Sequence, residues 1–239
     1  MANAVLNLSD LNGSNGFVIN GINAGDYSGT SVSSAGDING DGFDDLIIGA
    51  PLASPNGQVM AGESYVVFGS SSDFVTSLDL SSLDGSNGFV INGIAGLSGT
   101  SVSGAGDINS DGIDDLIIGA PFARRNEQRS HGESYVVFGS SSDFGASLNL
   151  SSLDGSNGFV INGIDAGDIS GYSVSGAGDI NDDGIDDLII GAQFADPNGQ
   201  DSAGSSYVVF GRSSDFGASF DLSSLDGSNG FVINGTGGG

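Results

Sequence analysis

The segment Gly-Ser-Asn-Gly-Phe-Val-Ile-Asn-Gly starts at Gly13, Gly85, Gly155 and Gly227, so the chain repeats at offsets of 72, 70 and 72 residues. A period this long exceeds that of most helical solenoids and suits a four-stranded sheet with generous loops. The middle unit is two residues shorter because Asn23–Tyr27 becomes Ala95–Leu97, a change placed in a turn, where length is tolerated. The repeat boundaries read as about 22–93, 94–163 and 164–235, with an extra outer strand at 13–21 and the whole of 1–239 as a single domain.

Each unit divides into four strand-like pieces, which in the first unit are Gly29–Gly36, Asp45–Ala50, Ser64–Gly69 and Gly88–Asn92. Leu46-Ile47-Ile48 and Tyr65-Val66-Val67-Phe68 are short continuous apolar runs, the pattern of strands buried on both faces. The first piece sets small residues around Val32, as an innermost strand crowded near an axis requires. No stretch sustains a 3.6-residue period, so almost no helix is expected. A sheet with two apolar faces must be covered twice, and identical sheets stacked face to face in a ring supply that cover. The expectation is an all-β chain, a β-propeller of four-stranded antiparallel blades with three blades present. A sandwich of the same hairpins is the alternative.

Between the first and second pieces of every unit lies a nine-residue loop, Asp-x-Asn-x-Asp-Gly-x-Asp-Asp. In the first unit, Asp37, Asn39 and Asp41 at positions 1, 3 and 5 can converge on one point. Gly42 gives the sharp turn, the Phe43 carbonyl can point inward, and Asp45 closes the shell. The second set is Asp107, Asn109, Asp111, Ile113 and Asp115; the third is Asp179, Asn181, Asp183, Ile185 and Asp187. Six or seven hard oxygens with three negative charges suit Ca²⁺, whereas Mg²⁺ demands a stricter octahedron. Asp44, Asp114 and Asp186, at position 8, are expected to point away and be solvated or bonded to neighbouring loop backbone. An EF-hand needs flanking helices and a glutamate at position 12, where this chain has Ile48, Ile118 and Ile190. Calcium β-rolls repeat every nine residues, not every 70 or so. A metal-free turn rich in Asp and Asn is the simpler reading. It leaves four mutually repelling carboxylates per loop unexplained at three equivalent points, so three calcium sites are expected.

The run Gly36-Asp37-Ile38-Asn39-Gly40-Asp41-Gly42-Phe43-Asp44-Asp45-Leu46-Ile47-Ile48-Gly49-Ala50-Pro51, followed by Tyr65-Val66-Val67-Phe68-Gly69, resembles the FG-GAP repeat of integrin α-subunit propellers and their bacterial relatives. The resemblance extends from about Gly13 to Asn234. It implies that the loop joins the innermost strand to the second on the lower face of the ring, and that the five positions named in each loop ligate calcium. It also implies a ring of about seven blades. The near-identity of the units is more like a bacterial surface or secreted repeat protein than an integrin subunit. Gln193 stands where the other units have Pro51 and Pro121, which touches the strand exit and leaves the loop intact.

Three blades leave two open apolar faces. Either the chain is part of a longer array, or copies associate to close a ring. The chain opens with a fourth-strand segment, Gly16–Asn20, and finishes with another, Gly230–Asn234. Two copies can therefore make a six-bladed homodimer, with one outer strand per chain redundant. The other departure is the loop Phe122–His131, which holds Arg124, Arg125, Arg129 and the only histidine, His131. Its functional reading is a basic spot for an acidic protein or glycan on the upper face. A solvated, variable loop whose charges find neighbouring carboxylates is favoured over it.

Thirty acidic residues face four basic ones, a net charge of −26. Such a surface repels nucleic acid and anionic membranes, so neither is an expected partner. Twelve of those carboxylates are the loop aspartates at positions 1, 5, 8 and 9. There is no cysteine and no apolar run long enough to span a bilayer. The start, MANAVLNLSDLNG, lacks the basic residues and apolar core of a signal peptide, so an export address is expected elsewhere, as in a longer parent protein. The carboxylates repeat identically, with no acid, base or nucleophile set apart, so an enzyme is not expected. The expectation is an extracellular or cell-surface adhesion or interaction module, with a passive spacer or self-assembling scaffold as the alternative and a propeller hydrolase or lyase ranked below both.

Overall fold

The computed structural model describes residues 6–72, 74–124 and 130–236. Sixteen strands follow in chain order. They are β1 (Val18–Asn20), β2 (Ser31–Gly36), β3 (Asp45–Ala50), β4 (Glu63–Val67), β5 (Ser77–Asp79) and β6 (Gly88–Asn92), then β7 (Ser101–Gly106), β8 (Asp115–Ala120), β9 (Glu133–Val137), β10 (Ser147–Asn149) and β11 (Gly158–Asn162). The last are β12 (Ser173–Gly178), β13 (Asp187–Ala192), β14 (Ser205–Val209), β15 (Ser219–Asp221) and β16 (Gly230–Asn234). Among the described residues the only helical pieces are three-residue 3₁₀ turns.

Three antiparallel sheets result, β2-β3-β4-β6, β7-β8-β9-β11 and β12-β13-β14-β16, each a four-stranded blade of a part-propeller. The innermost strands β2, β7 and β12 lie side by side. Four strands per unit leave one element out, because each unit adds a fifth, short strand to its neighbour. β10 pairs in parallel with β6, β15 with β11 and β5 with β1. Only three residues long and preceded by Ser-rich turns, these pieces carry too little alternation to show in sequence.

The repeated Gly-Ser-Asn-Gly segment is the turn that feeds each outer strand. Asp84 accepts from the amide and hydroxyl of Ser86, and Asn87 accepts from the Asp84 amide. The Ser86 hydroxyl holds the Asp84 carboxyl below the usual range. Gly85 and Gly88 adopt φ of +98° and +137°, a backbone that side chains oppose.

The blades pack face to face. Ile38, Ile47, Val66 and Phe89 from the trailing face of the first blade meet Val102, Leu116 and Ile118 from the leading face of the second. The second and third blades repeat the contact, with Ile108, Ile117 and Phe159 against Val174, Leu188 and Ile190. Each such side chain contributes about 1.5–3 kcal/mol when fully buried. The expected open faces are present. Val32 is 66% exposed where its equivalents Val102 and Val174 are 3% and 5% exposed. Ile180 is 48% exposed where Ile38 and Ile108 are fully covered.

Blades approach closely enough to require glycine. A methyl on Gly119 would run into the carbonyl oxygen of Gly171 in the next blade, whereas around Gly191, the same position in the third blade, the nearest atom to a methyl would be 3.6 Å away. Neither glycine has a positive φ. Gly119→Ala is therefore expected to destabilise the fold by about 2 kcal/mol or more through overpacking, and Gly191→Ala by less than about 0.5 kcal/mol. Thermal or urea melts of the two variants check this; equal losses would contradict it.

Candidate metal centre

The loop after each innermost strand is held by its own carboxylates. In the first blade, Asp37 accepts from the amides of Asp41 (3.0 Å) and Gly42 (2.8 Å), Asn39 Oδ1 accepts from Asp41, and Asp41 Oδ1 accepts from Phe43. The second loop repeats these bonds through Asp107, Asn109, Asp111 and Ile113. The third repeats them through Asp179, Asn181, Asp183 and Ile185. Positions 1, 3 and 5 thus lie on the inside of one curl, because each bonds an amide two to five residues ahead. The loop joins the innermost strand to the second, as the spacing predicts.

The ninth residue is the buried one. Asp45, Asp115 and Asp187 are at most 1% exposed. One oxygen of Asp45 accepts from the Ile38 amide (3.1 Å) and the other from Gly69 (2.7 Å). The same pairs join Asp115 to Ile108 and Gly139, and Asp187 to Ile180 and Gly211. This explains the Phe-Gly at the end of each third strand. A side chain at Gly69 would meet the Asp44 backbone and Phe43, so the amide could not reach the carboxylate. These glycines belong to the loop although they lie 24 residues from Asp45, and only the recurrence of Phe-Gly signals them.

Burial pushes Asp45 up to about 6 and Asp115 up to about 8, and it raises Asp187. The two amide bonds oppose the shift, while the carboxylates of positions 5 and 1 add to it. Among the described residues, no three Asp, Glu or His side chains are already gathered into a cation cage. The donor chemistry nevertheless fits a hard divalent ion. Each loop offers only oxygens, and a carboxylate bonded once per oxygen keeps lone pairs free. The charges acting on Asp45 are Asp41 and Asp37, both of its own sign.

Position 8 ties the loops together. Asp114 Oδ2 accepts from the Asp37 amide of the preceding blade (2.9 Å), and Asp186 Oδ2 accepts from Asp107 (3.0 Å). The predicted bond to neighbouring loop backbone is thus observed, and it crosses between blades. A methyl on Gly36 or Gly106 would run into these carboxylates.

The Phe122–His131 loop is described only at its ends. Arg124 is exposed, while Arg125 and Arg129 lie outside the described residues. His131 belongs to a blade joint: its carbonyl accepts from the Ser170 amide of the third blade (3.0 Å), and its Nδ1 is buried without a partner. The fourth arginine, Arg212, lays its guanidinium 4.3 Å from the centre of the Phe216 ring, a cation–π contact that the sequence did not signal.

The FG-GAP repeat family model matches residues 28–67, 98–137 and 170–209, together half of the chain. Integrin alpha pat-2 of Caenorhabditis elegans is 33% identical over 174 residues, covering 70% of this chain and 13% of that protein. Phosphatidylinositol-glycan-specific phospholipase D of Bos taurus is 32% identical over 174 residues, covering 72% and 19%. Integrin alpha-3 of Cricetulus griseus is 28% identical over 184 residues, covering 73% and 15%. The matches therefore span less than a fifth of these relatives' own length.

Because the buried aspartates have raised pKa values, the metal-free fold binds their protons more tightly than the unfolded chain does. Stability without divalent cations is expected to be highest below about pH 4 as far as these groups are concerned, and to fall as pH rises through about 6 to 8. Chemical denaturation in chelator at pH 5 and pH 8 checks the sign; equal or greater stability at pH 8 would contradict it.

Proposed function

Since the chain belongs to the FG-GAP repeat family, we propose that it is a calcium-stabilised interaction module that works outside the cell. The observation that carries this reading is the buried aspartate of each loop, Asp45, Asp115 or Asp187, held by two backbone amides while the charges acting on it are carboxylates of its own sign. The Asp, Asn and backbone carbonyl oxygens of the curl would hold Ca²⁺ with it: Asp37, Asn39, Asp41, Phe43 and Asp45 in the first blade, and their equivalents in the others. Bound there, the ion neutralises clustered carboxylates and fixes the inner hairpin; it has no reacting partner. Sites of this modest, oxygen-only kind suit calcium at extracellular, roughly millimolar levels.

The repetition supports interaction over catalysis. The same acid set stands in all three blades, so none is singled out for a reaction. Two of the relatives named above are integrin alpha chains, and a protein or glycan ligand on the loops opposite the metal curls is part of the proposal. Phospholipase D activity is the other named relative's, and its match lies on 19% of that protein. No helix among the described residues is long and apolar enough to cross a membrane. Association between copies of the chain through its open blade faces is also part of this reading.

Three sites at about tenfold excess over Kd would stabilise the fold by roughly 4 kcal/mol in total, so chelation is expected to lower Tm by about 10 °C. Asp41→Ala, Asp111→Ala and Asp183→Ala combined should remove most of that difference. A melt unchanged by chelator would overturn the calcium reading. Loss of polysaccharide or protein-array binding on Arg124→Ala, Arg125→Ala and Arg129→Ala together would place the ligand on the 122–131 loop.

A further inference from the structure

The first and third blades expose the two halves of an interface that the chain already makes twice. Four hydrogen bonds recur at both internal joints. The amide of Asp37 or Asp107 donates to the next blade's position-8 carboxylate. The hydroxyl of Ser31 or Ser101 accepts from Val102 or Val174 (3.0 and 3.1 Å). The carbonyl of Ile38 or Ile108 accepts from Ser140 or Arg212 (2.9 and 2.8 Å). The carbonyl of Ala61 or His131 accepts from Ser98 or Ser170 (3.1 and 3.0 Å).

The third blade carries the same trailing groups, Asp179, Ser173, Ile180 and Ala203, and the first blade carries the same leading groups, Asp44, Val32, Ser70 and Ser28. A cleft of about 510 Å³ on the third blade is lined by Ser173, Gly191, Ala203, Gly204 and Ile233. In the other two blades the corresponding place is filled. A methyl on Gly49 or Gly62 would run into Gly99 or Ser98, and one on Gly119 or Gly132 into Gly171 or Ser170. The cleft therefore stands where the Ser98–Gly99 and Ser170–Gly171 turns sit at the internal joints, and the first blade carries the equivalent turn, Ser28–Gly29, at the other end of the chain.

We infer that a second copy of this chain occupies that seat, the leading face of its first blade packed on the trailing face of the third. This rests on the reading that the chain self-associates and specifies the surface. Such a contact is heterologous, and two copies close it into a ring of six blades, within the usual four to eight.

The outer strands show how the joint is finished. β6 pairs antiparallel with β4 and parallel with β10, and β11 pairs likewise with β9 and β15. β1 makes only the parallel half, with β5, and β16 only the antiparallel half, with β14. Phe89 stacks on Phe144 and Phe159 on Phe216, both at 4.4 Å, and Phe17 stacks on Phe74 at the same distance. Phe231, 40% exposed, is the residue equivalent to Phe89 whose partner in the second copy would be Phe74, already taken by Phe17. The joint thus has one seat for two identical strands. β1 of one copy and β16 of the other exchange there, and the displaced one is released.

The test is the light-scattering mass of the full chain over a concentration series, in calcium and in chelator, for the natural sequence, Gly191→Ala and Asp44→Ala. Neither residue packs against a neighbouring blade within one chain, so both variants should melt like the parent when dilute. The expected result is a mass of two chains for the parent and at least tenfold weaker association for both variants. A monomer at every concentration would overturn self-association itself. A dimer indifferent to both substitutions would leave self-association standing and overturn this joint.

Discussion

A four-stranded sheet with apolar side chains on both faces needs two covers, and here each cover is another copy of the same sheet. Ile38 and Phe89 are buried only because Val102, Leu116 and Phe144 of the next blade lie on them. The glycines at 49 and 119 follow from that stacking, since the neighbouring turn's carbonyl comes too near for any side chain. Where the stack ends, the same residue types are exposed. The architecture is therefore one contact repeated, and its two unmatched halves are a property of the contact rather than of any one blade.

The acidic loops are built within each blade and are joined across this stacking. The buried aspartate at position 9 is shielded at the joint between strands, and its nearest charges are negative. A chain that places four carboxylates in nine residues and buries one of them has raised the cost of its own metal-free state. The proposed divalent cation would remove that cost. The position-8 carboxylates carry the consequence across blades, because Asp114 and Asp186 cap the first amide of the preceding curl.

Much of this was legible from residues alone. The four-strand unit, the position of the loop between first and second strands, the open faces and the outward role of position 8 all follow from exact repetition and from apolar runs such as Leu46–Ile48. What was not legible depends on distance in space. The three-residue strand Ser77–Asp79 has no pattern of its own and exists only because the preceding outer strand lies beside it. The link from Gly69 to Asp45 spans 24 residues and appears only once β3 and β4 are paired. His131 read as a ligand-loop residue, yet its backbone is part of a blade joint, a role that Ala61 fills in the first unit with a different side chain.

Each blade is proposed to carry one cation site. Metal content measured after equilibrium dialysis against millimolar calcium tests it most directly. The expected content is three calcium ions per chain, falling by one with each of Asp37→Ala, Asp107→Ala and Asp179→Ala as they are combined. Fewer than one ion per chain, or a content indifferent to these substitutions, would contradict it.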